Sequence, residues 1–420
     1  MKVLVIGSGG REHGIAWQCA KFDEVSEVFV APGNAGTNLE QKIKNIDITA
    51  TPDLIDFVKK NNIDITIVGP EVPLVAGIVD DFQEHNLAIF GPSKAASQLE
   101  GSKAFSKDFM AKHNIPTAFY EVFTQVDKAI KYIEEKGAPI VIKADGLAAG
   151  KGVIVATTTD MAISAVKDML SGNAFGEAGN RVVIEEFLTG EEASFIVMSD
   201  GVNILPMATS QDHKTLENGD IGVNTGGMGA YSPAPVVDDE IFEIAMNEVI
   251  KPTIEAMAKD GNPFVGFLYA GLMIDGKSVK VVEYNCRFGD PETQPIMMRL
   301  ETNLARLCLL ATQKKLDIAQ VRWSKKVALG VVLASDGYPA KFETGQEIIL
   351  PKDEIDTKIF HAGTKVVDGK ITNNGGRVLC ITALGKNVKD AQAKAYKLVE
   401  KIDWNGSYYR TDIGFKAIES

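Results

Sequence analysis

Four short apolar runs in the first hundred residues each break at a glycine turn, and this alternation constrains the fold more than any other feature of the chain. Val3–Ile6 runs into Gly7-Ser8-Gly9-Gly10, and Val28–Ala31 into Pro32-Gly33-Asn34-Ala35-Gly36. Ile65–Val68 runs into Gly69-Pro70-Glu71, and Ala88–Phe90 into Gly91-Pro92. Helix signals fall between the runs, around His13–Lys21 and Leu54–Lys60. Strands that alternate with helices predict a parallel sheet covered on both faces. Ligands of such open sheets bind at the carboxyl ends of the strands, where these glycine turns lie.

The pattern changes further along. Lys94–His113 reads as one helix, which Pro116 ends. Ile140–Lys143 and Val153–Ala156 read as strands joined in a hairpin by Ala144–Gly152. Helix Met161–Leu170 and strand Val182–Ile184 follow, which together make a small α+β lid over about 117–188. From Glu191 to about Arg322 strands alternate in longer hairpins. A last piece carries strands Ala328–Leu333 and Val378–Thr382 and helix Ala391–Lys401. The expected division is an α/β substrate-binding unit over 1–102, a central unit with the lid over 103–325, and a small C-terminal unit over 326–420.

Composition narrows the class of partner. Apolar residues make up 45% and charged residues 24% of the 420, as in an ordinary globular protein. A net charge of −12 offers no basic footprint for nucleic acid and argues against anionic membranes. Cys19, Cys286, Cys308 and Cys380 are too scattered for a zinc site and suit a reducing compartment. The N-terminal apolar run turns too early for a signal peptide, and no run reaches membrane-spanning length. A cytoplasmic protein acting on small molecules, as a monomer or small homo-oligomer, is the expectation.

The motifs point to phosphate chemistry. Gly7-Ser8-Gly9-Gly10-Arg11-Glu12 approaches a dinucleotide fingerprint, but Glu12 stands at the third glycine position. Backbone amides at that helix start, with Arg11, suit a phosphate; the alternative is a tight turn without a ligand. Gly146–Gly152 is not a P-loop, because three residues separate its glycines and Gly152 stands where Ser or Thr is required. It suits a glycine flap over a triphosphate, with Lys143 and Lys151 supplying charge. A mobile hairpin with solvated lysines is the alternative. Glu185–Glu192 offers an apolar edge for a base and a carboxylate for a ribose, although glutamates after a strand are usually solvated. Gln211–Lys214 and Asn224–Gly229 are polar, glycine-rich segments of a functional type.

The most chemical run is Glu283-Tyr284-Asn285-Cys286-Arg287, after the β-branched Val279–Val282. Residues two apart share a strand face, so Glu283, Asn285 and Arg287 are expected in a row about 6–7 Å apart, opposite apolar Val282, Tyr284 and Cys286. Glu283 and Asn285 suit Mg²⁺, which takes hard oxygen ligands. Arg287 can hold an anion bidentately beside the metal. Phe288-Gly289-Asp290-Pro291-Glu292 then turns the chain. A metal and an arginine at a strand end read as phosphoryl transfer from a nucleotide.

Taken in order, Lys103, Lys143, the Gly146–Gly152 flap, Glu185-x-Phe187-Leu188, Glu192 and Glu283-x-Asn285-x-Arg287 resemble the ATP-grasp superfamily. Within it, Val5–His13, Ala31–Gly36, Lys143–Gly152, Asn224–Gly229 and Asn285–Gln294 are similar to the glycinamide ribonucleotide synthetases, over essentially the whole chain. The resemblance implies an N-terminal parallel sheet, an ATP-grasp domain with a mobile lid, and a small C-terminal domain. It implies ligation of glycine to 5-phosphoribosylamine through glycyl phosphate, with release of ADP and phosphate, in purine synthesis. Lys103 and Lys143 would contact the phosphates of ATP, under a flap of Gly146, Gly150, Lys151 and Gly152. Glu185, Phe187 and Leu188 would frame adenine, with Glu192 on the ribose. Glu283 and Asn285 would hold Mg²⁺ or Mn²⁺, and Arg287 would stabilise the transferring phosphoryl group or the acyl phosphate. The strand Leu268–Ile274 lacks the further acidic ligand that many relatives carry. Gly9, Gly10, Gly36 and Glu71 would hold phosphoribosylamine, and Asp212, Gly226 and Gly227 would border glycine. Another ATP-grasp ligase is one rival. A nucleotide-binding regulator is the other, but it would be expected to lack Glu283, Asn285 or Lys143.

Overall fold

The computed structural model describes residues 1–147, 152–171 and 180–419. Strands Lys2–Gly7, Glu27–Pro32, Ile43–Asn45, Ile65–Val68 and Ile89–Phe90 form a five-stranded sheet with Lys2–Gly7 at its centre. Its pairings are all parallel. The alternating residues supply two cores. Leu4, Ile6 and Phe29 pack against Leu54, Val58 and Phe82 on one face. Val3, Val5 and Val28 pack against Ile15 and, from the middle of the chain, Met297 and Leu304 on the other. Burial on both faces explains why these strands read as continuous apolar runs.

The central unit has two larger antiparallel sheets among the described residues, besides the hairpin Thr215–Glu217 with Ile221–Asn224. Glu191–Asp200, Val265–Asp275 and Ser278–Asn285 pair consecutively, and Ile204–Pro206 closes one edge. The lid sheet runs in the order Tyr120–Phe123, Val182–Glu186, Ile140–Ala144, Val153–Ala156. Helices Val126–Lys136 and Thr159–Leu170 cover it, and it has a core of its own. The hairpin expected between Ile140 and Ala156 is present as an antiparallel pair.

The C-terminal sheet is built on Val327–Ser335, Arg377–Gly385 and Thr357–His361, with helix Val388–Val399 packed on it. Two of its strands, Gln211–Asp212 and Gly229–Ser232, come from the middle of the chain. The middle and the end of the sequence therefore share one sheet. Among the described residues no helix is long and apolar enough to cross a membrane.

Three local expectations are corrected. The single helix expected over Lys94–His113 is two, Gln98–Gly101 and Lys103–Lys112. Ser102 between them is extended (φ −141°, ψ 115°), and its hydroxyl caps the second helix by accepting from the Phe105 amide. Between Glu191 and Arg322 the chain is not only hairpins, since helices Lys251–Lys259, Thr293–Arg299 and Leu304–Thr312 lie there.

The third concerns the row of Glu283, Asn285 and Arg287. The strand ends at Asn285, and its register slips opposite Gly271 and Leu272, where Glu283 and Val281 pair but Val282 does not. A bulge of this kind inverts the alternation. Val279 and Val281 face the core before it, and Tyr284 and Cys286 after it, while Val282 joins the cleft wall. Strict alternation would have turned Glu283 inward beside Val281.

Candidate active site

One cavity of about 580 Å³ lies between the two central sheets and reaches the N-terminal and C-terminal units. Glu283 and Asn285 line it from the end of their strand, and Arg287 from the turn beyond. Phe288 fixes that turn. It is 1% exposed and its ring centroid lies 4.1 Å from that of Phe267. Burying such a side chain contributes about 1.5–3 kcal/mol, which holds Arg287 at the rim.

Arg287 is clamped by two carboxylates, Glu100 at 2.7 Å and Glu71 at 3.2 Å. Burial raises the pKa of Glu100, whereas Arg287 and Arg11 outweigh burial at Glu71 and lower it. At Glu283 burial is likewise outweighed, by Lys214, Lys143, Lys103 and Arg287, and its carboxyl lies below the usual range. Four cations thus converge on one carboxylate, a field suited to an anionic ligand.

Lys143 stands on the lid strand Ile140–Ala144 and meets Glu185 at 3.0 Å. Lys103 opens helix Lys103–Lys112 and donates to the Gly146 carbonyl at 2.7 Å. Asp145 ties the flap's base to the same helix, accepting from the Ala104 amide at 3.0 Å and from Arg181 Nε at 2.7 Å. Gly146 adopts φ +95°, which its lack of a side chain allows. Gly146 and Gly152 line the cleft, whereas Gly150 and Lys151 lie outside the described residues. Glu185, Phe187, Leu188 and Glu192 also line the cavity.

Asp212 and Gly226 line the wall nearest the C-terminal unit. Burial among Glu292, Glu192 and Glu283 pushes the Asp212 carboxyl up to about 8, against the pull of Lys214. Gly227 lies just behind, at φ +111°, where a β-carbon would fall 2.4 Å from Pro291. Arg377 of the C-terminal sheet binds the Gly226 and Asp290 carbonyls and so locks this wall.

Gly9, Gly10 and Gly36 are not brought to the cleft wall; Arg11 and Glu71 are. The amide of Gly9 donates to Glu12 Oε2 at 2.6 Å, and the amide of Arg11 donates to Asp290. A β-carbon on Gly7 or Gly69 would fall within 2.4 Å of the Glu12 side chain. The glycines at these strand ends therefore admit the Glu12 carboxylate, which explains its place in the broken fingerprint. Gly36 packs on His361, where a β-carbon would lie 2.3 Å from the ring, in a second cavity between the N-terminal and C-terminal units.

Several cleft residues escaped the sequence reading. Lys214 pairs with Glu192 and lies 3.9 Å from Glu283. Glu292 is 3% exposed and accepts from Tyr269 at 2.9 Å and Ser194 at 3.1 Å. Glu100 lies on the short helix Gln98–Gly101. Only the Asp-Pro-Glu turn, for Glu292, and the polar run Gln211–Lys214, for Lys214, offered a signal.

Glu283 and Asn285 both line the cavity and carry the oxygen ligands that a hard cation takes. Among the described residues no three His, Cys, Asp or Glu side chains converge as a closed cage. An ion here would draw on nucleotide phosphates, the usual habit of Mg²⁺.

Comparison with known proteins shows the family. Family models of phosphoribosylglycinamide synthetase match the N domain at residues 1–100, the ATP-grasp (A) domain at 101–293 and the C domain at 328–416. A phosphoribosylamine–glycine ligase of Vibrio vulnificus is 61% identical, covering 100% of this chain and 99% of the relative. One of Salmonella typhimurium is 60% identical with the same coverage. The crystal structure of the Thermotoga maritima phosphoribosylamine–glycine ligase superposes with a TM-score of 0.86 at 35% identity, covering 98% of this chain and 100% of that one. A biotin carboxylase domain of Hydrogenobacter thermophilus, 15% identical with a TM-score of 0.72, shares the fold. With all three domain models matched in order and relatives alike end to end, the chain belongs to the phosphoribosylglycinamide synthetase family.

Proposed function

We propose that the cleft is where this chain, an ATP-dependent carbon–nitrogen ligase of purine synthesis, joins glycine to 5-phosphoribosylamine. The γ-phosphoryl group of ATP passes to a carboxylate oxygen of glycine, giving glycyl phosphate and ADP. The amine of phosphoribosylamine then attacks the acyl carbon, and phosphate leaves as the amide forms. The observation that carries the reading is the convergence of Lys103, Lys143, Lys214 and Arg287 on Glu283 in one cavity. Such a site needs no protein nucleophile, because positioning and charge neutralisation supply the catalysis.

Each residue has a task in this reading. Lys103 and Lys143 bind the phosphates, and the flap including Gly146, Gly150, Lys151 and Gly152 covers them. Glu185, Phe187 and Leu188 frame adenine, and Glu192 meets the ribose once it exchanges Lys214 for the sugar hydroxyls. Glu283 and Asn285 would hold Mg²⁺ or Mn²⁺, which supplies charge neutralisation at the phosphates. Arg287 faces the glycine carboxylate as it becomes an acyl phosphate. The ammonium of glycine lies between Asp212 and Glu292, where its charge favours the ionised form of Asp212, with Gly226 and Gly227 limiting the space. Phosphoribosylamine enters from the side of Arg11 and Glu71, backed by the Gly9–Gly10 turn. Residues 1–102 supply that side, 103–325 the nucleotide site with its lid and the Asp212–Gly226 wall, and 326–420 the Arg377 that locks that wall. A closing lid protects glycyl phosphate from water.

The test is ADP release from the purified chain with ATP, Mg²⁺ and glycine, with and without phosphoribosylamine. Sustained ADP release only when both substrates are present is expected. Equal release without phosphoribosylamine, or none with it, overturns the reading.

A further inference from the structure

Lys107 lies one turn beyond Lys103 on the helix Lys103–Lys112 and is 2% exposed. An ammonium so deep must be paired, because desolvation of an unpaired charge is unfavourable. Its Nζ lies 2.9 Å from Glu185 Oε2 and donates to Thr117 Oγ1 at 2.8 Å. Thr117 directs its own proton to the Val281 carbonyl at 2.6 Å, which leaves its oxygen free to accept. Lys143 meets the same Oε2 of Glu185 at 3.0 Å and donates to the Val282 carbonyl at 3.2 Å.

The two partners of Lys107 sit at the two chain crossings between lid and body. Thr117 precedes the first lid strand, Tyr120–Phe123, and Glu185 belongs to the last, Val182–Glu186. The two strands pair with Tyr120 opposite Glu185. The lid's core is made of its own residues, so polar ties to the body, at these crossings and at Asp145, hold it in place. The charges add a second consequence. Lys107 and Lys143 share the Glu185 carboxylate and both line the cleft, where Lys143 is also drawn to Glu283.

We propose that Lys107 is a positioning residue for nucleotide: it ties both connections of the lid to the body and balances Glu185, so that Lys143 keeps its charge for phosphate. The inference rests on the reading of Lys143 as a phosphate ligand. A purely structural buried pair would alter stability without distinguishing one ligand from another. The positioning role acts on phosphate-bearing ligands alone.

The experiment uses the full chain as Lys107→Met, Lys107→Arg and Thr117→Val, each checked by thermal melting. Lys107→Met keeps the length and apolar stem but removes the charge. It should weaken ADP binding tenfold or more in equilibrium titration while adenosine binding changes less than twofold. The Michaelis constant for ATP should rise in parallel, and that for glycine should stay within twofold. Lys107→Arg should restore most of the ADP affinity. Thr117→Val keeps both charges and should speed amide exchange at 117–123 with little change in ADP affinity. A folded Lys107→Met with ADP affinity within twofold of the parent overturns the proposal. So does a folded Lys107→Arg as weak as Lys107→Met, or an equal loss of adenosine binding. If Lys107→Met does not fold, Lys107→Arg and Thr117→Val decide: unchanged exchange in Thr117→Val, or tenfold weaker ADP binding in a folded Lys107→Arg, overturns it. Failure of the ligase reading would show separately, as a parent chain inactive with glycine and phosphoribosylamine.

Discussion

Glu283 carries one of the cleft's negative charges on a carboxylate that four cations hold ionised. Glu283→Gln keeps the shape but removes the charge that a divalent cation needs. Turnover should fall about a hundredfold or more, the scale of losing one electrostatic contact in a transition state. Near-parental turnover at saturating Mg²⁺ would remove Glu283 from the metal site. Asp212 makes the opposite electrostatic case, since burial holds it protonated up to about 8. Between its unfolded pKa, about 3.9, and that value the folded chain binds one proton more than the unfolded chain. Stability contributed by this group is therefore present at low pH and lost as pH rises through that window. Asp212→Asn should flatten the fall in melting temperature between pH 5 and pH 8. An unchanged slope would show that the Asp212 carboxyl titrates normally.

Among the elements, the lid is the one whose sequence and structure agree in outline and differ in the part that matters. Its strands alternate, its hairpin is in register, and its core is local. All of this follows from periodicity within some seventy residues. Amide exchange across Lys143–Ala156 should slow on addition of a non-hydrolysable ATP analogue, because ligand contacts draw the flap onto the phosphates. Identical exchange with nucleotide bound would deny the flap a role. The strand Ser278–Asn285 teaches the converse. Its composition announces a strand, but the slip at Val282 that turns Glu283 to the cleft is a property of its pairing with Gly271 and Leu272. A bulge depends on two strands, and one strand's sequence does not declare it.

For the molecule as a whole, the joint between the first and last units is ionic. Glu40 pairs with Lys358 at 2.5 Å and with His13 at 3.3 Å. Burial opposes its ionisation, but His13 and Lys358 prevail and lower its pKa to about 2. A depressed carboxylate contributes stability that is full above its unfolded value, about 4.3, and lost as pH falls towards 2. Glu40→Gln should therefore lower the melting temperature at pH 7 by a few degrees, the shift expected of about 1–2 kcal/mol in a chain of this size. The difference from the parent should shrink as pH approaches 3. A difference independent of pH would mean that the glutamate packs without pairing as a charge.

Sequence alone determined the elements and the residues that carry ligand chemistry. Short-range periodicity makes strands and helices, and the run from Glu283 to Arg287 holds its donors within five residues. Long, specific motifs also carried the family resemblance. Tertiary structure alone decided which charges meet. Arg287 finds Glu100, Lys143 and Lys107 share Glu185, Lys214 finds Glu192, and Arg377 reaches back to Gly226. It also decided that the Glu12 carboxylate packs against Gly7 and Gly69 and bonds the Gly9 amide. These partners lie far apart in the chain or depend on one local packing arrangement. An ion pair is a matter of a few ångströms in space, and neither residue type nor local spacing encodes that distance until the sheets and the lid are assembled.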